Sequence, residues 1–313
     1  MNGDQKSIDY LARAVGYSLT GRVHEDVLFF CYGKGANGKS TFFGGLQLLL
    51  GDLMTTVPIA ALLVDKADHN YDYHKASMEG RRVVVTDEIP EGKRLAEHQI
   101  KGLVGGDDIA ARRPFERPYQ FKPTHKLWLM GNYKPDIRGT DHGIWRRIHL
   151  IRWTVTIPEE KKRPRHEVLS DFSKERSGIL NWAIRGFLDA QDLGGLKPPS
   201  SVINATKEYR SDSDQFSQFM DQCITQRSQA KTKLKSILTV YKNWCEENGE
   251  PQYYGSSKKI GLYFREAGFE TRRDGKDNLF CVFGIELLGE ETPLELPGVL
   301  KVDPKNFHYT SCQ

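Results

Sequence analysis

Apolar positions early in the chain recur at helical spacing: Ile8, Leu11, Ala12, Val15 and Leu19 share one face and predict a packed leading helix. An unbroken apolar run, Val27 to Cys31, then reads as a buried strand. "STFFGGLQLLLGD" predicts a helix stopped near Gly51, and "TTVPIAALLVDK" is apolar but ambiguous in type. "RRVVVTDE" passes from two arginines through Val83, Val84 and Val85 to Thr86, Asp87 and Glu88, as a fully buried parallel strand would. "HKLWLMGNYKP" alternates briefly and ends at Gly131 and Asn132 before a turn at Pro135. Strands separated by helices predict an α/β core with a parallel sheet and flanking helices.

Between the last two strands, two short extended runs hinge around "PFERP" and predict a hairpin. From Pro158 to Leu196 the pattern is helical around Ile179, Trp182, Ala183, Phe187 and Leu188, and a further helix is expected from Ser201 through Phe219. The last third reads as helix, helix and wing: "LKSILTVYKNWCEENG", "IGLYFREAG" with Ser256 as a cap, and "FETRRDGKDNLFCVFGIEL" turned at Asp274 and Gly275. These patterns divide the chain into a helical lead-in (1–22), a core (23–157), a helical segment (158–225), a winged-helix-like domain (226–290) and an uninformative tail (291–313).

A length of 313 residues allows about two domains. The net charge of +4, from 45 Lys+Arg against 41 Asp+Glu, is too small to imply a polyanionic partner, so local clusters must carry that argument. Five scattered cysteines with no C-x-x-C pair argue against a zinc site or disulfide framework. No apolar run nears the roughly 20 residues that span a bilayer, and the charged N-terminus lacks a signal-peptide centre, so a cytoplasmic protein without a membrane partner is expected.

The segment Gly33, Lys34, Gly35, Ala36, Asn37, Gly38, Lys39, Ser40 and Thr41 has the spacing G-x-x-x-x-G-K-S between a strand and a helix. Its backbone N–H groups suit phosphate oxygens, Lys39 suits the β and γ phosphates, and the Ser40 hydroxyl suits Mg2+, so ATP is the expected ligand. Asp87, at a strand's carboxyl end, is the metal-side candidate, and Glu88 the candidate base for the attacking water. Asn132 suits the γ-phosphate or that water; an Asx turn before proline is the alternative. Arg146 and Arg147 suit a neighbour's ATP across an oligomer interface, or form a structural pair at a strand start. Arg112, Arg113, Arg117 and Lys122, interleaved with Phe115 and Tyr119, suit a groove that follows DNA phosphates; salt bridges to Glu116 and Asp108 are the bland alternative. Lys258, Lys259, Arg265, Arg272, Arg273 and Lys276 supply a basic face for DNA, or the domain docks a protein. The histidines, His69, His74, His98, His125, His142 and His149, show no matched metal-ligand spacing.

Together, "GKGANGKST", "VVVTDE", "KGLVGGDDIAARRPFERPYQFKPTHKLWLMGN" and "GIWRRIHLI" resemble the superfamily 3 helicases, in particular the helicase half of phage and plasmid primase-helicases. The likeness extends from "YLARAVGYSLTG" through "EYRSDSDQFSQFM", with a looser match in the last domain. It implies an AAA+-type P-loop ATPase core that forms a ring, usually a hexamer, and draws single-stranded DNA through its channel in the 3′ to 5′ direction. It also implies forked DNA as substrate, ATP with Mg2+, and a primase or polymerase partner in replication of a phage, plasmid or mobile element. By position, Lys39, Asp87, Glu88 and Asn132 match the family's catalytic set, and Arg146 and Arg147 its arginine-finger region. The segment from Lys101 to Lys122 matches its channel hairpin. Relatives commonly carry a priming segment ahead of this region, whereas here Met1 nearly abuts the leading helix, so priming is not expected of this chain. The alternative functions are a loader or remodelling ATPase, an origin-binding protein that uses ATP mainly for assembly, and a small-molecule P-loop kinase.

Overall fold

The structure, a computed structural model, describes residues 3–64, 71–137, 142–275 and 278–288. His69, Lys276 and the tail 291–313 lie outside the described residues. The chain divides into two compact units, Met1–Asp214 and Gln215–Gln313.

The first unit contains, in order, α1 (Gln5–Leu19), β1 (Leu28–Tyr32), α2 (Lys39–Leu50), β2 (Met54–Val57), α3 (Tyr71–Ala76), β3 (Val83–Glu88) and α4 (Glu97–Val104). A short hairpin, β4 (Ile109–Ala111) and β5 (Tyr119–Phe121), precedes β6 (Lys126–Gly131), α5 (His142–Trp145) and β7 (Ile148–Arg152). Three longer helices, α6 (Arg165–Lys174), α7 (Arg176–Asp192) and α8 (Ser200–Ser213), complete it. Five strands form one parallel sheet in the order β2-β3-β6-β1-β7. The ambiguous "TTVPIAALLVDK" supplies β2 and a 3-10 turn at Ile59–Leu62.

Both faces of the sheet are covered, which is why its strands read as apolar runs. Leu28, Phe30, Val84, Leu127 and Leu129 enter one core with Trp145 and Tyr209. Phe29, Cys31, Val83, Val85 and Trp128 enter the other with Tyr10, Val15, Phe43 and Leu46. The brief alternation of β6 is thus not an exposed face, since five of its six residues are buried. From β1 the chain crosses to the far edge at β2, returns through β3 and β6, and adds β7 on the other side of β1. The carboxyl end of β1 is therefore a topological switch point, where open α/β sheets bind ligands.

Helix α1 is held by α7 at close range. A Cβ on Gly186 would lie 2.2 Å from the Ala12 backbone oxygen, and one on Gly16 would lie 2.2 Å from Ala183 O. Beside that contact the buried Arg13 donates to Asp189 at 2.7 Å and to Leu196 O at 2.9 Å. On the edge strand β7, Leu150 N donates to the Thr206 hydroxyl of α8 at 3.1 Å, and that hydroxyl donates to Ile148 O at 3.2 Å.

The second unit comprises α9 (Gln215–Cys223), β8 (Ile224–Lys233), α10 (Leu234–Glu247), α11 (Ser257–Glu266), β9 (Thr271–Asp274) and β10 (Leu279–Leu287). Its antiparallel sheet runs β8-β10-β9 and closes over Phe216, Phe219, Tyr241, Ile260, Phe264 and Val282. The single helix expected from Ser201 to Phe219 is interrupted at Asp214, whose ψ of 78° leaves the helical region. The helical stretch 158–225 thus contributes to both units. Among the described residues no helix is long and apolar enough to cross a membrane.

Candidate functional site

The loop that follows β1 is pinned by backbone contacts. Gly33 N donates to Gly131 O at 3.2 Å, and a Cβ on Gly33 would meet Trp153 O at 2.3 Å, so only glycine fits there. Asn37 Nδ2 donates to Trp153 O at 3.3 Å, and Ile157 N donates to Ala36 O at 2.8 Å. Ala36 (φ 51°) and Gly38 (φ 87°) take left-handed backbone, which turns the loop into α2. The first turn of α2 has no side-chain cap and no acidic residue, so its amide groups keep their positive potential. Lys34, Gly35, Ala36 and Ser40 are exposed, and Thr41 is half-buried.

Lys39 is buried, and its ammonium donates to Gly33 O, to Asn37 Oδ1 at 3.1 Å and to Asn132 Oδ1 at 3.0 Å. Burial lowers its pKa from the ordinary lysine value, while the Glu88 carboxylate opposes that shift. Asn132 Nδ2 in turn donates to Glu88 Oε1 at 3.3 Å. Gly33, Asn37, Lys39, Asn132 and Glu88 are thus joined in one chain of contacts at the carboxyl ends of β1, β3 and β6. Asp87 is not part of that chain, because its Oδ1 accepts Ile59 N at 2.5 Å. A register shift between Val85 and Glu88 in the pairing with β6 accompanies this divergence of neighbouring carboxylates. Ser40 Oγ contacts Met130 Sδ at 3.9 Å.

The two arginines differ sharply. Arg147 turns inward: it donates to Gly143 O at 2.6 Å and pairs with Asp26 at 3.2 Å, with 12% of its side chain exposed. Arg146 is exposed. Strand register places Ile148 opposite Leu28 and Arg152 opposite Tyr32, so both arginines sit at the end of the sheet opposite the loop. At about 3.3 Å per strand residue, the separation from Gly33 is roughly 20 Å. Neither reaches the loop of its own chain.

The hairpin forms as expected, with Ile109 opposite Phe121 and Ala111 opposite Tyr119. Arg113 pairs chiefly with Glu79, at 2.6 Å, and only at 3.9 Å with Glu116. Its guanidinium also lies 5.1 Å from the Tyr119 ring centroid, and the Tyr119 hydroxyl donates to the same Glu79 at 2.9 Å. Arg112 donates to Glu116 O at 3.1 Å. Arg117 and Lys122 are exposed, Lys101 is half-buried on α4, and Phe115 stands fully in solvent at the tip with φ 63°. In the second unit, Lys258 and Lys259 are exposed at the start of α11, whose cap, the Ser256 hydroxyl, accepts Lys259 N at 3.4 Å. Arg272 pairs with Glu270 at 3.1 Å and stacks 4.5 Å from Phe283.

Sequence reasoning did not find Glu79, Asp26 or the Trp153 carbonyl. Each acts through a contact remote along the chain, and a backbone carbonyl carries no signature of residue type.

Residues 31–147 match the model of a family described as of unknown function, DUF5906. The chain is 27% identical to the mimivirus protein named "Putative helicase L207/L206" (Acanthamoeba polyphaga mimivirus) over 265 residues, which is 78% of this chain and 27% of that one. It is 26% identical to "Putative primase C962R" of African swine fever virus (strain Badajoz 1971 Vero-adapted), covering 76% of this chain and 26% of the relative. With "Putative helicase V13" of Sputnik virophage it shares 27% identity over 49% of this chain and 21% of that one. The chain spans about a quarter of the length of the mimivirus and African swine fever virus relatives. Among solved structures, the apo C-terminal region of NrS-1 superposes with a TM-score of 0.51 at 13% identity, over 91% of this chain and 73% of that one, a likeness of fold. The chain is thus an α/β protein whose relatives carry the names of viral helicases and primases.

Proposed function

We propose that this chain is an ATP-driven DNA helicase module of the superfamily 3, AAA+-type class, acting in replication of a virus, phage or other mobile element. The observation that carries the reading is the meeting of Lys39, Asn132 and Glu88 beside a glycine loop and an open helix N-terminus at the sheet's switch point. In this reading the Lys39 ammonium exchanges its Gly33 and Asn132 oxygens for the β and γ phosphates of ATP. Asn132, released from Lys39, orients the attacking water, and a Glu88 oxygen accepts the water's proton. The Ser40 hydroxyl and Asp87 carboxylate are hard oxygen donors suited to Mg2+, which neutralises phosphate charge when bound.

Arg146 serves a neighbouring copy, since it is exposed and about 20 Å from its own loop by strand register. That requirement favours a ring, with a hexamer as the expected form. Arg147 is the structural member of the pair. The hairpin, with Phe115 at its tip and Arg112, Arg117 and Lys122 around it, contacts single-stranded DNA during 3′ to 5′ movement. The second unit has the element order of a winged helix and presents Lys258, Lys259, Arg272 and Arg273 to DNA.

The test is strand displacement on a fork with a 3′ tail, run beside DNA-stimulated ATP hydrolysis. Displacement that needs both the 3′ tail and ATP supports the helicase. DNA-stimulated hydrolysis without displacement refutes the motor and leaves a loader or assembly ATPase.

A further inference from the structure

The second unit contains an open cavity of about 600 Å³ where the amino ends of α10 and α11 meet the start of β10. Its apolar wall includes Val240, Leu279 and Phe280, and the last two leave 41% and 49% of their surface in solvent. Its polar rim carries Lys233 and Lys235, with no acidic residue in the lining. The Arg273 guanidinium sits 4.8 Å from the Phe280 ring centroid, which adds a third cation beside the aromatic face. The first turns of α10 and α11 also lack acidic residues, so their dipoles reinforce the positive field.

We propose that this cavity holds one unpaired base of single-stranded DNA against Phe280 and Leu279, with the flanking phosphates on Lys233 and Lys235. Aromatic faces interleaved with cations are the chemistry by which unstacked bases and their backbone are held. A cavity of this size suits a single nucleotide, whereas the stacked bases of a duplex cannot present a face to Phe280. A peptide strand is disfavoured because only Leu279 and Phe280 of β10 lack a β8 partner at the cavity, too short an edge for strand addition. Its lining excludes the α11 lysines proposed for DNA above, although it adjoins that basic face through Ser257 and Arg273. It extends the DNA part of the proposed function and does not depend on ATP turnover.

The experiment uses the full chain without nucleotide. Oligothymidylate carrying 5-iodouracil is cross-linked by light, and the attached peptides are mapped by mass spectrometry. Affinities for the same strand and for its duplex are measured by fluorescence anisotropy, in a background where Arg112, Arg117 and Lys122 are alanine so that the hairpin does not mask the second unit. A cross-link at Leu279 or Phe280 is expected. Phe280→Ala should weaken single-strand binding by about 5- to 100-fold, on the scale of one lost base stack, while leaving duplex binding unchanged. Phe280→Trp should preserve it. Replacing Lys233 and Lys235 together with alanine should lower the salt slope by roughly 1.4, as loss of two single-strand phosphate contacts requires. Thymidine monophosphate at matched concentration should not compete. Cross-links confined to the hairpin, equal weakening of single strand and duplex, unchanged affinity in Phe280→Ala, or full competition by the mononucleotide would each overturn the proposal. Unwinding is read separately, so a failed motor assay with an intact Phe280 cross-link rejects the helicase reading alone.

Discussion

Of two adjacent arginines, only one should cost stability when it is replaced by alanine. In Arg147→Ala the chain loses a donor to Gly143 O at 2.6 Å and the Asp26 ion pair at 3.2 Å, both from a side chain only 12% exposed. Hydrogen bonds to charged groups contribute about 1.5–3 kcal/mol each, and the lower figure suits the Asp26 pair because that carboxylate is 37% exposed. The buried Arg147 Nε has no hydrogen-bond partner, so its removal returns about 1 kcal/mol. The net loss is about 2–3 kcal/mol. With a urea dependence near 2–3 kcal/mol per M, the midpoint should fall by roughly 1 M. Arg146→Ala removes an exposed side chain and should leave stability within about 0.5 kcal/mol. Urea unfolding followed by far-UV circular dichroism measures both, with the transitions of the two units fitted separately. Equal midpoints for Arg147→Ala and the parent would refute the assignment of a structural lock. For the proposed function, Arg146→Ala should hydrolyse ATP poorly alone and recover part of its turnover when mixed with Lys39→Ala subunits.

Three further expectations are independent of that one. Glu88→Gln should bind ATP yet hydrolyse it about 10²-fold more slowly, whereas Lys39→Ala should lose binding; nucleotide binding and phosphate release separate them, and parental hydrolysis in Glu88→Gln would remove it as the base. Burial pushes His149 and His125 down to about 4, so between pH 6.5 and 4 the unfolded chain binds protons that the folded chain does not. Stability should therefore decrease as the pH is lowered through that window, and His149→Gln should remove up to about 1.4 kcal/mol per pH unit from the slope of urea stability, an unchanged slope being the refuting result. Gly186→Ala places a methyl 2.2 Å from the Ala12 carbonyl and should lower the melting temperature by several degrees through overpacking, while Gly178→Ala on the same helix, with open space at its Cβ, should not.

Much of the parallel sheet was legible because its central strands are buried on both faces and so write unbroken apolar runs into the chain, as in "LFFCY" and "VVVTDE". The same logic explains what was missed. Strand β8, "ITQRSQAKTK", is mostly solvent-facing and polar, so no alternation marked it; its place is set by pairing with β10. The break at Asp214 falls in "SDSDQ", where Ser and Asp favour caps over helix interiors, so its local signal was present but was overridden by the helical spacing of apolar residues on both sides. At the candidate site, spacing singled out the loop and the strand-end carboxylates and gave Asp87 and Glu88 different roles, but it did not say that Glu88 alone meets Asn132 while Asp87 turns to a backbone amide. Their divergence depends on a register shift against β6 and on Ile59 N, which no local pattern encodes. Arg146 and Arg147 were equivalent for the same reason: the choice between them is made by Asp26, far upstream.

The close seam between α1 and α7 has a consequence for synthesis. Ala12 and Gly186 touch in the folded unit but lie about 170 residues apart in the chain. At roughly 5–20 residues per second, the ribosome delivers α7 about 10–30 seconds after α1. Throughout that interval the apolar face of α1, with Leu11 and Val15, waits without its partner helix while the sheet strands emerge. A nascent chain therefore presents the apolar face of α1 to chaperones until α7 emerges, and the first unit can close only when its last third has left the exit tunnel.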